Sequence, residues 1–247
     1  MSGIGPDLDA ALAAVAARRP LLVASDYDGV LAPLVGDPSA AVPEPGVAEA
    51  LARVAAVPGV TVALVTGRGA ADLQTVSGLS GPFRWIGSHG AEFDGPLSGE
   101  LADRRDALAG ALAPLVERVP GARLEVKPAS VAVHVRQVSD RAAAAALLGA
   151  ARSAVDSSLT LKPGKEVLEV AVTDADKGTA LRRLVAELDA AAAIYLGDDV
   201  TDEDGFRALD PDGVTVKVGE GRTDARYRVT DTAAAVELLR RLGDLLA

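Results

Sequence analysis

Short apolar runs rich in β-branched residues alternate along this chain with longer stretches whose apolar positions recur at helical spacing. Leu21–Ser25 is the first compact run, and acid and glycine follow it at once. Pro45–Val57 carries apolar residues on a helical period and is closed by Pro58-Gly59. Val60–Val65 reads as a second strand, Ala70–Val76 as a helix and Arg84–Gly87 as a third short strand. Strand and helix in alternation predict a parallel sheet wrapped by helices.

The rhythm changes after Gly95. A helical stretch, Leu101–Val119, leads into two adjacent strand patterns, Arg123–Lys127 and Ser130–Arg136. A second helix, Arg141–Val155, leads into another such pair, Leu159–Lys162 and Glu166–Val172. Helix–strand–strand twice over predicts a small α+β unit built on an antiparallel sheet. From Lys177 the βα alternation resumes, with a helix to Leu188, strands at Ala193–Leu196 and Val214–Val218, and a last helix from Thr232. The predicted fold is therefore an α/β core, residues 1–96 and 174–247, interrupted by an α+β subdomain over 97–173. At roughly 75 residues the interruption is too long to be a loop.

Composition narrows what such a chain can do. Hydrophobic residues make up 49% of it, enough for a sizeable core. A formal charge of −10 argues against nucleic acid and anionic lipid as partners. Aromatics at 3% are too few for a stacking platform. The absence of cysteine removes disulfides, thiol catalysis and cysteine metal sites. Asp7 and Asp9 precede Arg18 and Arg19, the reverse of a signal peptide's charge order, and no apolar run approaches the ~18 residues of a membrane span. A soluble cytoplasmic protein with no membrane partner is expected.

Two acid clusters carry the chemistry. Asp26-Tyr27-Asp28-Gly29 follows the first buried run, at the strand end where parallel sheets bind ligands. Taken alone this is equally a polar turn. Asp198-Asp199 stands at the tip of another buried run, followed by Asp202-Glu203-Asp204. Acids in the first turn of a helix account for the last three. They do not account for Asp198 and Asp199, whose convergence with Asp26 and Asp28 calls for a cation. Oxygen ligands without cysteine point to a hard divalent ion, Mg²⁺. Thr66-Gly67-Arg68 and Lys177-Gly178 lie at further element ends, where Thr66 can donate to an anion and Lys177 can neutralise one. Each is also readable as a cap or a solvated charge.

This ordered set, DxDGV, then Thr before Gly-Arg, then Lys, then GDD, resembles the haloacid dehalogenase-like phosphatases. The resemblance implies that Asp26 is a nucleophile forming an aspartyl-phosphate and that Asp28 is the acid and base. It further implies that Mg²⁺ is held by Asp26, the Asp28 carbonyl and Asp198, with Asp199 and Asp202 behind them, while Thr66 and Lys177 hold the phosphoryl oxygens. Gly87-Ser88-His89-Gly90-Ala91-Glu92, Glu125-x-Lys127, Ser130, His134-Val135-Arg136 and Gly164-Lys165-Glu166-Val167-Leu168-Glu169 are similar to the trehalose-6-phosphate phosphatase family within that superfamily. Val30, Ser88 and Val135 depart from the residues common there, and none is a catalytic acid.

By that resemblance the insertion is a cap, and a small sugar phosphate is the substrate of a monomeric Mg²⁺ enzyme. Lys165, Glu169 and Glu92 then bind the sugar, with Arg68, Lys127 and Arg136 as further substrate contacts. Lys165 and Glu169, four apart on one strand, should face the same side; a solvated strand face with a weak ion pair is the competing account. Another glycosyl phosphate, such as sucrose phosphate or mannosyl-3-phosphoglycerate, is the alternative substrate. A catalytically silent sugar-phosphate-binding relative is the alternative class, against which the intact acid set argues.

Overall fold

A computed structural model describes residues 4–157 and 159–247. The chain parts into two compact units, one comprising residues 1–95 with Ala175–Ala247 and the other Pro96–Asp174.

The first unit is built on a seven-stranded sheet. Its strands are β1 (Leu21–Ser25), β2 (Val60–Val65), β3 (Arg84–Gly87), β4 (Glu92–Phe93), β9 (Ala192–Gly197), β10 (Val214–Val218) and β11 (Tyr227–Val229). The order is β11-β10-β9-β1-β2-β3-β4, with every neighbouring pair parallel except β3–β4. Strands covered on both faces read as unbroken apolar runs, which is why β1 and β9 are buried at every position.

Helices α1 (Pro6–Ala16), α2 (Val47–Ala55), α3 (Ala70–Ser77) and α8 (Thr232–Leu246) share one side. There Leu12, Leu51, Leu73 and Leu239 belong to the same core as Val23, Leu196 and Val216. Helices α6 (Lys177–Leu188) and α7 (Glu203–Leu209) cover the other side, where Leu181, Leu184 and Phe206 join Leu22, Ala24 and Tyr195. Close to the insertion, Phe93 lies 3.6 Å beneath the Arg183 guanidinium. Glu187 accepts hydrogen bonds from both Arg84 and Arg183, at 2.9 and 2.8 Å. This network ties β4 to α6 inside the core.

The second unit is a four-stranded antiparallel sheet, β5 (Arg123–Lys127), β6 (Ser130–His134), β7 (Thr160–Gly164) and β8 (Val167–Ala171), in the order β5-β6-β8-β7. Helices α4 (Gly99–Val116) and α5 (Arg141–Ala154) pack on it. Val131, Val133, Leu168 and Val170 are buried, and the alternate positions of the strands carry the polar residues. In register across the sheet stand Glu125, Ala132, Glu169 and Lys162.

Three elements had no counterpart in the sequence pattern: α1, the two-residue β4 and the edge strand β11. A fourth difference affects a candidate residue. Strand β7 runs through Gly164, and Lys165-Glu166 form the tip of the hairpin, with Glu166 at φ +62°. Lys165 is therefore not on a strand with Glu169, and spacing by four does not put the two on one face.

Candidate active site

The tips of β1 and β9 meet through backbone and side chain. The Asp26 N–H donates to the Leu196 carbonyl at 2.9 Å, which continues the β1–β9 ladder one step past β1. The chain then coils, with the amides of Val30, Leu31 and Ala32 all donating to the Tyr27 carbonyl. Gly29 has φ +74°, and a Cβ there would lie 2.0 Å from Asp198 Oδ2. A bare backbone at this position is what lets the second acid loop approach the first.

Lys177, the first residue of α6, reaches into this junction. Its Nζ donates to Asp26 Oδ2 at 2.5 Å and to Asp202 Oδ1 at 2.6 Å. The three side chains are only 1%, 8% and 0% exposed, respectively. Burial works against the lysine's charge, but the two carboxylates outweigh it and hold Lys177 above its usual range. Asp26 is pushed up to about 7 by burial and by Asp202, against the pull of Lys177. Asp198 is pushed up to about 6, again mainly by burial and then by Asp202.

Asp202 is the hub of this cluster. The helix-terminus explanation covers only part of it: its carboxylate makes no capping bond to α7, but it accepts the Asp199 N–H as half of a capping box on the short 3-10 turn Val200–Asp202. Oδ1 accepts from Lys177 and from the Tyr195 hydroxyl, while Oδ2 accepts from the backbone N–H groups of Asp198 and Asp199, each at 2.9 Å. A carboxylate has about four lone-pair sites, and all four are engaged. Position 197 has to be glycine-sized, since a Cβ there would fall 2.4 Å from the Asp202 Cβ.

Oxygen atoms of Asp26, Asp198 and Asp202 all lie within 4.8 Å of one another. Asp26 and Asp198 fit a divalent cation on chemistry: both offer carboxylate oxygens, and burial together with the neighbouring Asp202 charge raises the proton affinity of each. Asp202, with its oxygens already engaged, buttresses them from behind. The cluster is a candidate metal site. Asp199, expected in it, stands outside: it is exposed, and its carboxylate accepts the Val200 N–H at 2.7 Å to start a short 3-10 turn. The Asp28 side chain is outside as well. Arg68 grips it with two bonds, Nε to Oδ2 at 2.6 Å and a terminal nitrogen to Oδ1 at 2.8 Å.

The remaining candidates fall into three groups. Thr66 is buried beyond β2, and its Oγ1 accepts the Arg68 N–H at 3.1 Å. Arg68 and Glu92, expected to contact substrate, are instead committed to the protein. Besides Asp28, Arg68 binds Asp72 and the Pro38 carbonyl. Glu92 is buried, accepting from the Ser88 hydroxyl at 2.7 Å and the Ala70 N–H at 3.2 Å, which pins the turn after β3 to the start of α3.

In the second unit Lys127 and Ser130 both donate to Glu169, at 2.8 and 2.6 Å. Burial alone would raise Glu169, but those two bonds hold it below its ordinary value. Lys165 and Arg136 are exposed, the latter in a turn beyond the end of β6. Sequence reasoning missed Tyr195 and Lys217 altogether. Both lie inside apolar strands, and the only visible sign was a polar residue on the alternate positions of a Val- or Ala-rich run.

A parallel sheet with this insertion, acids at the tips of β1 and β9 and a buried lysine between them, has the fold of the haloacid dehalogenase-like phosphatases. A solved trehalose-6-phosphate phosphatase from Aspergillus fumigatus superposes with a TM-score of 0.75 at 27% identity, covering 96% of this chain and 97% of the other. The sequence profile described as trehalose-phosphatase matches residues 24–233, and the chain belongs to that family. A trehalose-phosphate phosphatase of Mycobacterium marinum is 35% identical over 245 residues, 90% of this chain. A bifunctional trehalose-6-phosphate synthase/phosphatase of Thermoproteus tenax is 36% identical over 240 residues, 93% of this chain. The chain spans 61% of the first relative's length and 32% of the second's. Among the described residues no helix is long and apolar enough to cross a membrane.

Proposed function

We propose that this chain is a Mg²⁺-dependent phosphatase that hydrolyses trehalose 6-phosphate to trehalose and phosphate through an aspartyl-phosphate on Asp26. The observation that carries the reading is the Asp26–Lys177–Asp202 cluster beside Asp198, on a chain of the trehalose-phosphatase family. The carboxylates of Asp26 and Asp198 and the Asp28 carbonyl would hold the ion. When bound, Mg²⁺ supplies positive charge against the combined negative charge of a carboxylate nucleophile and a phosphate ester.

The chain's own residues do the rest. Lys177 fixes the Asp26 carboxylate through Oδ2, and the Tyr27 N–H fixes Oδ1 at 2.6 Å, so the nucleophile is held in one orientation. An Asp26 oxygen bonds to phosphorus as the bond from phosphorus to the sugar oxygen breaks. That oxygen keeps the electron pair and takes a proton from the Asp28 carboxyl. Asp28 then accepts a proton from water, whose oxygen displaces Asp26 and releases phosphate. Thr66 and Lys177 donate to the phosphoryl oxygens as charge gathers on them. Arg68 aims Asp28 in this scheme instead of binding the sugar. Polar residues of the second unit supply the sugar contacts: Lys127 and Glu169 on the sheet, Lys165 at the hairpin tip and Arg136 in the turn after β6.

The test is phosphate release by the purified chain with Mg²⁺ from trehalose 6-phosphate, sucrose 6-phosphate, mannosyl-3-phosphoglycerate and glucose 6-phosphate. Trehalose 6-phosphate should be preferred by at least tenfold in kcat/KM, the scale of one lost or gained recognition group. Equal rates on all four would refute the substrate assignment. Asp26→Asn should retain the fold and lose turnover, and retained turnover would remove Asp26 as nucleophile.

A further inference from the structure

Strand β10 reads Val-Thr-Val-Lys-Val, and all five residues are buried. Val214, Val216 and Val218 belong to the core shared with α1 and α8. Thr215 and Lys217 occupy the alternate positions. Lysine is rarely this enclosed without a carboxylate partner, yet Lys217 is only 5% exposed and forms no direct ion pair among the described residues, although its charge is felt at the Asp198 carboxylate. Its Nζ donates to the backbone carbonyl of Asp198. The register places Lys217 opposite Gly197, which has no side chain to stand between the lysine and the tip of β9.

Placing a buried ammonium on a neutral carbonyl is costly, and a structural role alone would be met more cheaply by an apolar residue. What the arrangement achieves is specific to Asp198. On the N-terminal side of that residue, its N–H is held by Asp202 Oδ2. On the C-terminal side its carbonyl is held by Lys217, and the next N–H, of Asp199, again by Asp202. Both peptide groups flanking Asp198 are thus clamped by charged, buried side chains. The carboxylate itself, packed against Gly29, is left to face Asp26.

We propose that Lys217 is a positioning residue of the cation site, which aims the Asp198 carboxylate by fixing its main chain. This rests on the metal reading given above and extends it to a residue that touches neither metal nor substrate. A competing role for Lys217, simple countercharge to the acid cluster, predicts the opposite effect on metal binding. Removing a nearby positive charge strengthens the hold on a cation, whereas releasing the Asp198 backbone weakens it.

The experiment is calorimetric titration of Mg²⁺ into the chelator-treated full chain, without substrate, for wild type, Lys217→Met and Lys217→Gln. Glutamine keeps an N–H donor and drops the charge. Lys217→Met should bind Mg²⁺ about tenfold more weakly or worse, the scale for losing a group that orients a metal ligand. Lys217→Gln should fall between it and wild type. Either variant binding as tightly as wild type, or more tightly, overturns the inference while leaving the proposed function standing. If Lys217→Met does not fold, Lys217→Gln decides alone by the same criterion. A wild-type chain that takes up no Mg²⁺ overturns both.

Discussion

Replacing Lys177 by Met removes the single ammonium shared by two buried carboxylates, and its cost can be worked from the geometry. Asp26 and Asp202 have almost no solvent to fall back on, so in the variant their charges are left uncompensated. Breaking a buried pair by deleting one partner costs about 3–5 kcal/mol. That figure applies at pH 8, above the value of about 7 at which Asp26 ionises in the folded chain. At pH 5 Asp26 holds its proton with or without the lysine. The part of the loss due to the Lys177–Asp26 bond, about 1.5–3 kcal/mol for a hydrogen bond to a charged group, then shrinks.

Urea unfolding of the metal-free chain measures this directly. Trp85, the only tryptophan, sits on β3 of the first unit and reports that unit's transition separately. Lys177→Met should lower the unfolding free energy by about 3–5 kcal/mol at pH 8, with an unchanged denaturant slope and a clearly smaller loss at pH 5. Two results would refute the reasoning: a loss below about 1 kcal/mol at pH 8, the scale of an exposed ion pair, or equal losses at the two pH values.

The raised carboxyls also set a sign for the metal-free wild type. Asp26 and Asp198 hold protons up to about pH 7 and 6 when folded but only to about 4 when unfolded, so stability should fall as pH climbs through roughly 4–7 and level off above. Thermal melts across that window test it, and saturating Mg²⁺ should flatten the slope; stability that rises through the window contradicts the assigned shifts. Gly29→Ala should leave a folded protein whose phosphate release is down about a hundredfold, because a Cβ 2.0 Å from Asp198 Oδ2 forces that carboxylate away from Asp26. Activity above a tenth of wild type would show that Asp198 can yield without cost.

The core strands were legible because a strand covered on both faces is mostly apolar, as β1, β2, β9 and β10 are, with polar exceptions such as Thr61, Thr215 and Lys217. The insertion was legible because its hairpins break the βα alternation. What failed was what depends on partners distant in sequence. The run Asp198–Asp204 offers five acids in seven residues, and sequence alone cannot tell that Asp202 turns inward to four donors while Asp199 turns out to solvent. Arg68 looked available for a ligand because its partner, Asp28, lies forty residues earlier. Lys165 departs from its expected place because β7 extends two residues past the Lys162 at which its pattern ends, and the hairpin turn takes the lysine. Lys217 was read as nothing more than part of a Val-rich strand.

The stitching of β4 to α6 by Phe93, Arg84, Arg183 and Glu187 bears on how a chain can carry so large an interruption. The segments flanking Pro96–Asp174 are fastened to each other within the core, so the excursion starts and finishes at one anchored gateway. Closing a loop costs entropy only as the logarithm of its length, and here the core's own contacts meet that cost whether the excursion is long or short. The insertion is therefore a replaceable module. Exchanging it for another domain, or for a brief linker, should leave Asp26, Lys177 and the Asp202 hub in place, since their contacts all lie within the first unit.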